Sequence, residues 1–291
     1  MPKSANNFCV FILTHGRPDK VITYQTLMRM GYGGPLYLVV DNEDAKADDY
    51  IAKFGTDKVI VFDKAAAATK FDEFGNFGDR RAIVYARNEC FDIARNLGYE
   101  YFLELDDDYR SFGYRITDQS VKKHDGSSWL TITKSIGEII AITFDFFKSV
   151  SASSVAFSQG GDWMSGDFYS EPNRHRKCMN TFFCSTSRQF NFVGRINEDV
   201  NTYTWFQGMG NLFFTIPLIQ VVQKQTQKNK GGMSDIYLSQ GTYIKSFYTI
   251  LCSPSSVKLR IMGYKNRRRI HHSINWDCAV PMLIDERHRK V

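Results

Sequence analysis

Phe8 to Leu13 is an unbroken apolar run, and the Thr14-His15-Gly16-Arg17-Pro18 that follows cannot continue it, which predicts a buried strand and a turn. Val21 to Met30 reads as a helix closed by Gly31, Leu36 to Val40 as a second strand ending at Asp41, and Asp44 to Phe54 as a second helix with Gly55 at its end. Val59 to Phe62 forms a short third strand. Ile83, Val84, Cys90, Phe91, Ala94 and Leu97 recur at helical spacing, with Gly98 as the stop. The helix feeds the strand Tyr101-Phe102-Leu103-Glu104-Leu105, which runs into Asp106, Asp107 and Asp108. Further on, Ile136, Ile139, Ile140 and Phe147 give another helical stripe, and Val155 to Ser158 a strand. Strands alternating with helices imply an α/β fold with a mainly parallel central sheet flanked by helices, whose ligands lie beyond the carboxyl ends of the strands. Thr14, Arg17, Asp41 and Asp106 all fall at such ends.

With 291 residues, 43% hydrophobic and 14% aromatic, the chain can bury one substantial core, so a single domain over residues 1–291 is expected. No apolar run approaches the roughly 18 residues that span a bilayer, because Glu138 and Asp145 interrupt one stretch and Pro217 and Gln220 another. The segment Met1 to Asn7 lacks the apolar core of a signal peptide, so a cytoplasmic location is expected. Six cysteines without a C-x-x-C pair read as reduced, mostly buried thiols, and the spacing of His175, Cys178 and Cys184 fits no common structural zinc pattern.

The formal charge of +6 is unevenly placed. One basic group is Arg174, His175, Arg176 and Lys177; another, near the C-terminus, includes Arg267, Arg268 and Arg269. Two such clusters suit a polyanionic partner and equally suit an ordinary solvated surface. Gln159 to Gly166 is glycine-rich without the Gly-Lys-Ser/Thr of a phosphate loop and reads as a mobile acceptor-side loop; the polar loop Gln223 to Gly232 is a second segment expected to move.

The three consecutive acids carry the most chemistry. Strand alternation points Asp106 and Asp108 to one side and Asp107 to the other, so two carboxylates can converge on one hard divalent cation, although a solvated acidic turn has the same pattern. His271 or His272 is a candidate to complete such a site through imidazole. Glu198 and Asp199, after the Gly194 bend, suit proton abstraction; with Asn197 they also make a good helix start.

The order Ala86-Arg87-Asn88, helix, Gly-Tyr-Glu-Tyr-Phe-Leu, Asp-x-Asp resembles the nucleotide-diphospho-sugar transferase (GT-A) superfamily. A wider set of blocks resembles the phage TET-associated glycosyltransferases. They are Thr-His-Gly-Arg-Pro, Arg-Arg-Ala-Ile with the following Ala-Arg-Asn, Leu-Asp-Asp-Asp-Tyr, Ser-Gln-Gly-Gly-Asp, Lys-Cys-Met-Asn-Thr-Phe, Val-Gly-Arg-Ile-Asn-Glu-Asp-Val-Asn-Thr-Tyr, Gln-Lys-Gln-Thr-Gln and Arg-Ile-His-His-Ser, and they run from Phe8 nearly to the C-terminus. The resemblance implies a GT-A-like fold and transfer of a sugar from a UDP-sugar to hydroxymethylated pyrimidines in phage DNA, inside an infected bacterial cell. It implies Mn²⁺ or Mg²⁺ at Asp106 and Asp108, and donor contacts from Thr14, Arg17, Asp41, Arg81, Arg87, Asn88, Asp106 and Asp107. Asp199 would act as base, with Glu198 the second choice, and Arg174, Arg176, Lys177, Arg267, Arg268 and Arg269 would meet DNA. Residues 8–110 would form the nucleotide-sugar half and 111–291 the acceptor half. Trp163, Tyr203 and Trp205 are candidate stacking platforms for a base extruded from the duplex, or core residues.

Overall fold

The computed structural model describes residues 7–75, 78–115, 129–159, 180–223, 241, 243–263 and 268–289. Among them the strands β1 (Phe8–Leu13), β2 (Leu36–Asp41), β3 (Val59–Phe62), β4 (Tyr101–Asp106), β5 (Tyr109–Arg115), β6 (Trp129–Thr131), β7 (Ser154–Gln159), β8 (Thr181–Ser185) and β9 (Phe213–Gln223) form one sheet of order β3-β2-β1-β4-β8-β7-β9-β5-β6. The helices are α1 (Ile22–Arg29), α2 (Ala47–Phe54), α3 (Lys64–Ala68), α4 (Val84–Asn96), α5 (Ile136–Ser149), α6 (Glu198–Gly208) and α7 (Ile244–Cys252). A separate antiparallel pair joins β10 (Val257–Met262) to β11 (Arg269–Ile274).

All six residues of β1 are buried, because helices cover both faces of the sheet. Val10 and Ile12 face a core layer shared with Leu27 of α1, Tyr50 of α2 and Phe144 of α5. Cys9, Phe11 and Leu13 face the opposite layer, with Ala67 of α3, Phe91 of α4 and Val200 and Tyr203 of α6. The α/β class is as the periodicity predicts, and β3, β2, β1 and β4 are all mutually parallel. Beyond β4 the sheet is mixed: β8 runs antiparallel to β4 and β7, β9 is parallel to β7, and β5 and β6 are antiparallel additions. One sheet thus runs through both expected halves of the chain.

The sequence reading missed β8 and β9. Pro217 interrupts β9, where the register with β7 shifts between Phe157 and Ser158, so the strand accommodates its proline at an irregularity. β4 does not turn back on itself: after Asp106 the chain passes into β5, which pairs with β9 on the far side of β8 and β7. The acidic turn therefore lies where the sheet divides. Thr23 in α1 grips that turn, its hydroxyl donating to the Asp106 carbonyl and accepting from the Tyr109 N–H at 2.9 Å.

Residues 190–197 are tied down before α6 begins. The Asn88 amide donates to the Phe192 carbonyl at 2.9 Å and accepts from the Phe192 N–H at 2.7 Å, and the Asn201 amide donates to the Val193 and Ile196 carbonyls. α6 starts at Glu198 as expected, but Asn197 adopts a left-handed conformation without a side-chain cap and instead donates to Thr249 of α7 at 2.7 Å. Gly194 has φ +80°, and a Cβ there would lie 2.6 Å from Asn201 Nδ2 and 3.0 Å from the Phe74 ring. Gly194→Ala should accordingly cost about 1–3 kcal/mol, read as a lower urea midpoint at unchanged slope; wild-type stability would show that the bend is not under this constraint.

Candidate active site

The carboxyl ends of β1, β2 and β4 and the start of α6 bring together most of the predicted residues that are described. At their centre is Arg87, 1% exposed, from the first turn of α4. Its Nε meets Glu198 Oε1 at 3.0 Å, Nη2 meets Asp106 Oδ1 at 2.8 Å and Nη1 meets Glu104 Oε2 at 3.4 Å. Phe182 and Phe192 cover the guanidinium, with ring centroids at 5.3 and 5.5 Å. A cation so buried and so committed does not reach donor phosphates, which corrects the role expected of Arg87. Asn88 is likewise committed at both ends to Phe192 and shapes the site only through that segment.

Asp107 turns away from Asp106, as strand alternation predicts, but into the protein. Its Oδ2 accepts from Thr14 Oγ1 and from Arg17 Nε, each at 2.7 Å. The Arg17 N–H donates to the Tyr50 hydroxyl at 2.8 Å, leaving that hydroxyl to donate to Thr14 at 2.9 Å. Thr14 and Asp107 are both buried and spent in this relay, so they brace the β1 turn and are not free to hold a nucleoside. Arg17 keeps both terminal amino groups uncommitted among the described residues, and its side chain is 25% exposed. Arg81 is held at the surface by Asp79, which also pairs with Arg195.

Asp41 is paired more fully than the sequence suggests. His15 Nδ1 lies 2.7 Å from one oxygen and the buried Lys64 ammonium 3.2 Å from the other. Burial pushes this carboxyl up, but the His15 hydrogen bond and the Lys64 charge outweigh it and hold the group below its usual range. The half-exposed His15 ring is therefore the group that the β2 end presents. The strand reading missed its pairing, although the Thr-His-Gly turn contains it. Glu104 was also missed, although an acid two residues before Asp106 on the same strand face needs a partner in the core.

Asp106 and Asp108 crowd one another. Burial, with repulsion from Asp107 and Asp199, pushes Asp106 to about 6 against the pull of Arg87; burial and repulsion from Asp106 and Asp107 push Asp108 to about 7. Asp106 has one oxygen beyond its Arg87 bond, and Asp108 has no side-chain partner among the described residues. Burial and the neighbouring Asp199 charge raise Glu198 as well, while Arg87 opposes the rise. Asp199 uses one oxygen on the Val200 N–H at 2.8 Å and leaves the other uncommitted.

Among the described residues no group of three or more His, Cys, Asp or Glu is placed to hold a metal, so His271 and His272 do not join the acid pair as a third ligand. They sit side by side on β11, ring centroids 4.3 Å apart, across from Arg260 and Leu259. Arg268 and Arg269 are exposed; Arg174, Arg176, Lys177, Arg267 and Trp163 lie outside the described residues, as do the two expected loops from residue 160 and from residue 224 onward. Tyr203 is buried and stacked on Trp276 at 5.9 Å, which makes it core; Trp205 is half-buried beside Phe74 and Phe206. The five described cysteines form no disulfide, and Cys9, Cys90 and Cys184 among them are buried. Among the described residues no helix is long and apolar enough to cross a membrane.

Residues 8–232 match the TET-associated glycosyltransferase model, and the chain belongs to that family. The match ends before β10, so the Arg-Ile-His-His-Ser block lies outside it, a shorter extent than the sequence resemblance implied. No curated protein matches the chain. Among solved structures, glucosyl-3-phosphoglycerate synthase from Mycobacterium tuberculosis, determined with Mn²⁺, UDP and phosphoglyceric acid, is similar at 10% identity and TM-score 0.45, covering 92% of this chain and 87% of that one. A putative nucleotide-diphospho-sugar transferase from Desulfovibrio desulfuricans is similar at 7% identity and TM-score 0.42, covering 83% of this chain and 98% of that one. A mycobacterial protein is similar at 8% identity and TM-score 0.47, covering 92% and 84%.

Arg87→Met should unpair three carboxylates in the interior and cost about 3–5 kcal/mol, with Arg87→Lys intermediate because it keeps the charge but loses the fork. Chemical denaturation measures this. A loss under about 1 kcal/mol for Arg87→Met would mean that the cage contributes little.

Proposed function

We propose that the protein is a GT-A-like, metal-dependent glycosyltransferase that moves a sugar from a UDP-sugar to the hydroxymethyl oxygen of hydroxymethylcytosine or hydroxymethyluracil in DNA, in the cytoplasm of a phage-infected bacterium. The observation that carries this reading is the convergence of Asp106, Asp108 and Asp199 at the carboxyl end of β4, in a chain of the TET-associated family. The acid pair fits a hard dication: its ligands are oxygens, both carboxyls are raised by burial and by neighbouring acids, and each has an uncommitted oxygen among the described residues. Two protein ligands leave positions for the donor's diphosphate. Mn²⁺ or Mg²⁺ bound there would neutralise charge developing on the leaving diphosphate.

The chain's own groups do the rest. Arg17 offers its terminal amino groups to the phosphates, with Arg81 at the rim, while Asp107, Thr14 and Tyr50 hold the Arg17 turn in place. His15, oriented by Asp41 and half-exposed at the ends of β1 and β2, would meet the nucleoside. The free oxygen of Asp199 takes the proton of the hydroxymethyl group as its oxygen attacks the anomeric carbon. The bond to the UDP oxygen breaks as the new bond forms, and in-line attack inverts the configuration. Glu198, tied to Arg87, is the weaker candidate for base.

Incubating hydroxymethylated DNA with UDP-sugars and Mn²⁺ and weighing the released nucleosides tests the reading directly: a hexose- or pentose-sized gain supports it, and transfer only to glycan or protein acceptors sinks it. Asp106→Asn and Asp108→Asn should each abolish transfer and weaken metal-dependent donor binding. Asp199→Asn should lose on the order of 10² to 10⁴ in kcat with near-normal substrate binding, and Glu198→Gln less. The reverse order, or a retained anomeric configuration, would reassign the base.

Metal binding should also depend on pH. Carboxyls raised to about 6 and about 7 hold protons more tightly in the folded protein than in the unfolded chain, so their contribution to stability is present at low pH and lost as pH rises through those values. A dication competes with these protons. The rise in Tm on adding Mn²⁺ should therefore be small at pH 5.5 and large at pH 8; an equal rise at both would place the metal elsewhere.

A further inference from the structure

The segment Val257–Ile274 holds six of the chain's 37 lysines and arginines and none of its 31 aspartates and glutamates. The other 31 basic residues are matched one for one by acids, so the whole formal charge of +6 resides in this stretch. It lies beyond residue 232, outside the family match. Its described parts are the strands β10 and β11, which pair with each other and not with the main sheet.

The register sorts their side chains. Lys258 opposite Ser273, Arg260 opposite His271 and Met262 opposite Arg269 make a basic face; Val257 opposite Ile274, Leu259 opposite His272 and Ile261 opposite Ile270 make an apolar one. At the inner end the apolar face is covered, with Val257 and His272 buried and Ile274 packed against the core layer of α4 and α6. Toward Met262 it is open: Leu259 is 47% and Ile261 69% exposed. Lys258, Arg260 and Arg269 on the other face are exposed too, so the outer half of the ribbon stands clear of the body on both faces.

We propose that this ribbon is a DNA-binding arm that lies in the major groove of the acceptor duplex, an inference that rests on the DNA acceptor proposed above. Two strands roughly 4.8 Å apart form an arm that a groove about 12 Å wide admits and one about 6 Å wide does not. The major groove offers phosphates on both walls and base edges with thymine methyls on its floor, so an arm with a basic and an apolar face finds a partner for each. The substituent at position 5 of a pyrimidine projects into that same groove, which places the arm and the acceptor hydroxyl on one side of the duplex.

The test is the triple variant Lys258→Gln, Arg260→Gln, Arg269→Gln in the full chain. Binding to a short duplex is measured across a salt series, with and without netropsin filling the minor groove. The slope of log Kobs against log salt should become shallower by about 2 to 3, since each lost phosphate contact removes about 0.9. Affinity near 0.1 M salt should fall about tenfold or more while Tm is unchanged, and netropsin should leave wild-type binding intact. An unchanged slope, displacement by netropsin, or a loss confined to RNA overturns the arm. If hydroxymethylated DNA is still glycosylated while the slope is unchanged, the arm is wrong and the function stands; if the variant loses duplex binding but wild-type protein transfers no sugar, the arm stands and the function falls.

Discussion

Everything at the carboxyl end of β4 depends on one buried cation. Arg87 holds Glu104 and Asp106 from the strand and Glu198 from the start of α6, so a single guanidinium joins the acidic end of β4 to the segment that carries Asp199. Removing such a charge from water costs several kcal/mol, and only close geometry offsets it. The cost is met by fork-shaped hydrogen bonding, by two aromatic rings over the guanidinium and by carboxyls that surround it. Three full negative charges around one cation would leave an excess, and the interior relieves it by raising Glu104 to about 8, chiefly through burial.

A second brace works from the opposite side of the same turn. Asp107 takes Thr14 and Arg17, Tyr50 links them, and Thr23 clasps the backbone on both sides of the acids. Asp106 and Asp108 are consequently held where their charges repel. The mixed part of the sheet matters here too. Because β5 leaves to pair with β9, the acidic turn is not closed off by a hairpin partner.

Much of this was legible in the chain. The β/α alternation, the helix starting near Arg87, the strand running into three acids and the helix starting at Glu198 follow from periodicity, glycine stops and strand alternation, because each depends on neighbours within a few residues. The division of labour within the site was not legible. Thr14, Asn88, Arg87 and Asp107 have the chemistry of ligand contacts, yet their partners lie 17 to 111 residues away and consume them. Strand β9 hid behind its proline because a register shift, invisible in a single strand, absorbs the break.

Local pattern and composition were enough for the α/β class, the alternation of strands and helices up to Asp106, the family and the concentration of charge between Val257 and Ile274. Only the tertiary structure decided which polar groups remain available. That choice depends on burial and on hydrogen bonds between strands distant in the chain: among the described residues the terminal amino groups of Arg17, the Asp108 carboxyl and one oxygen of Asp199 meet no other side chain, whereas Arg87 is closed because three carboxyls surround it.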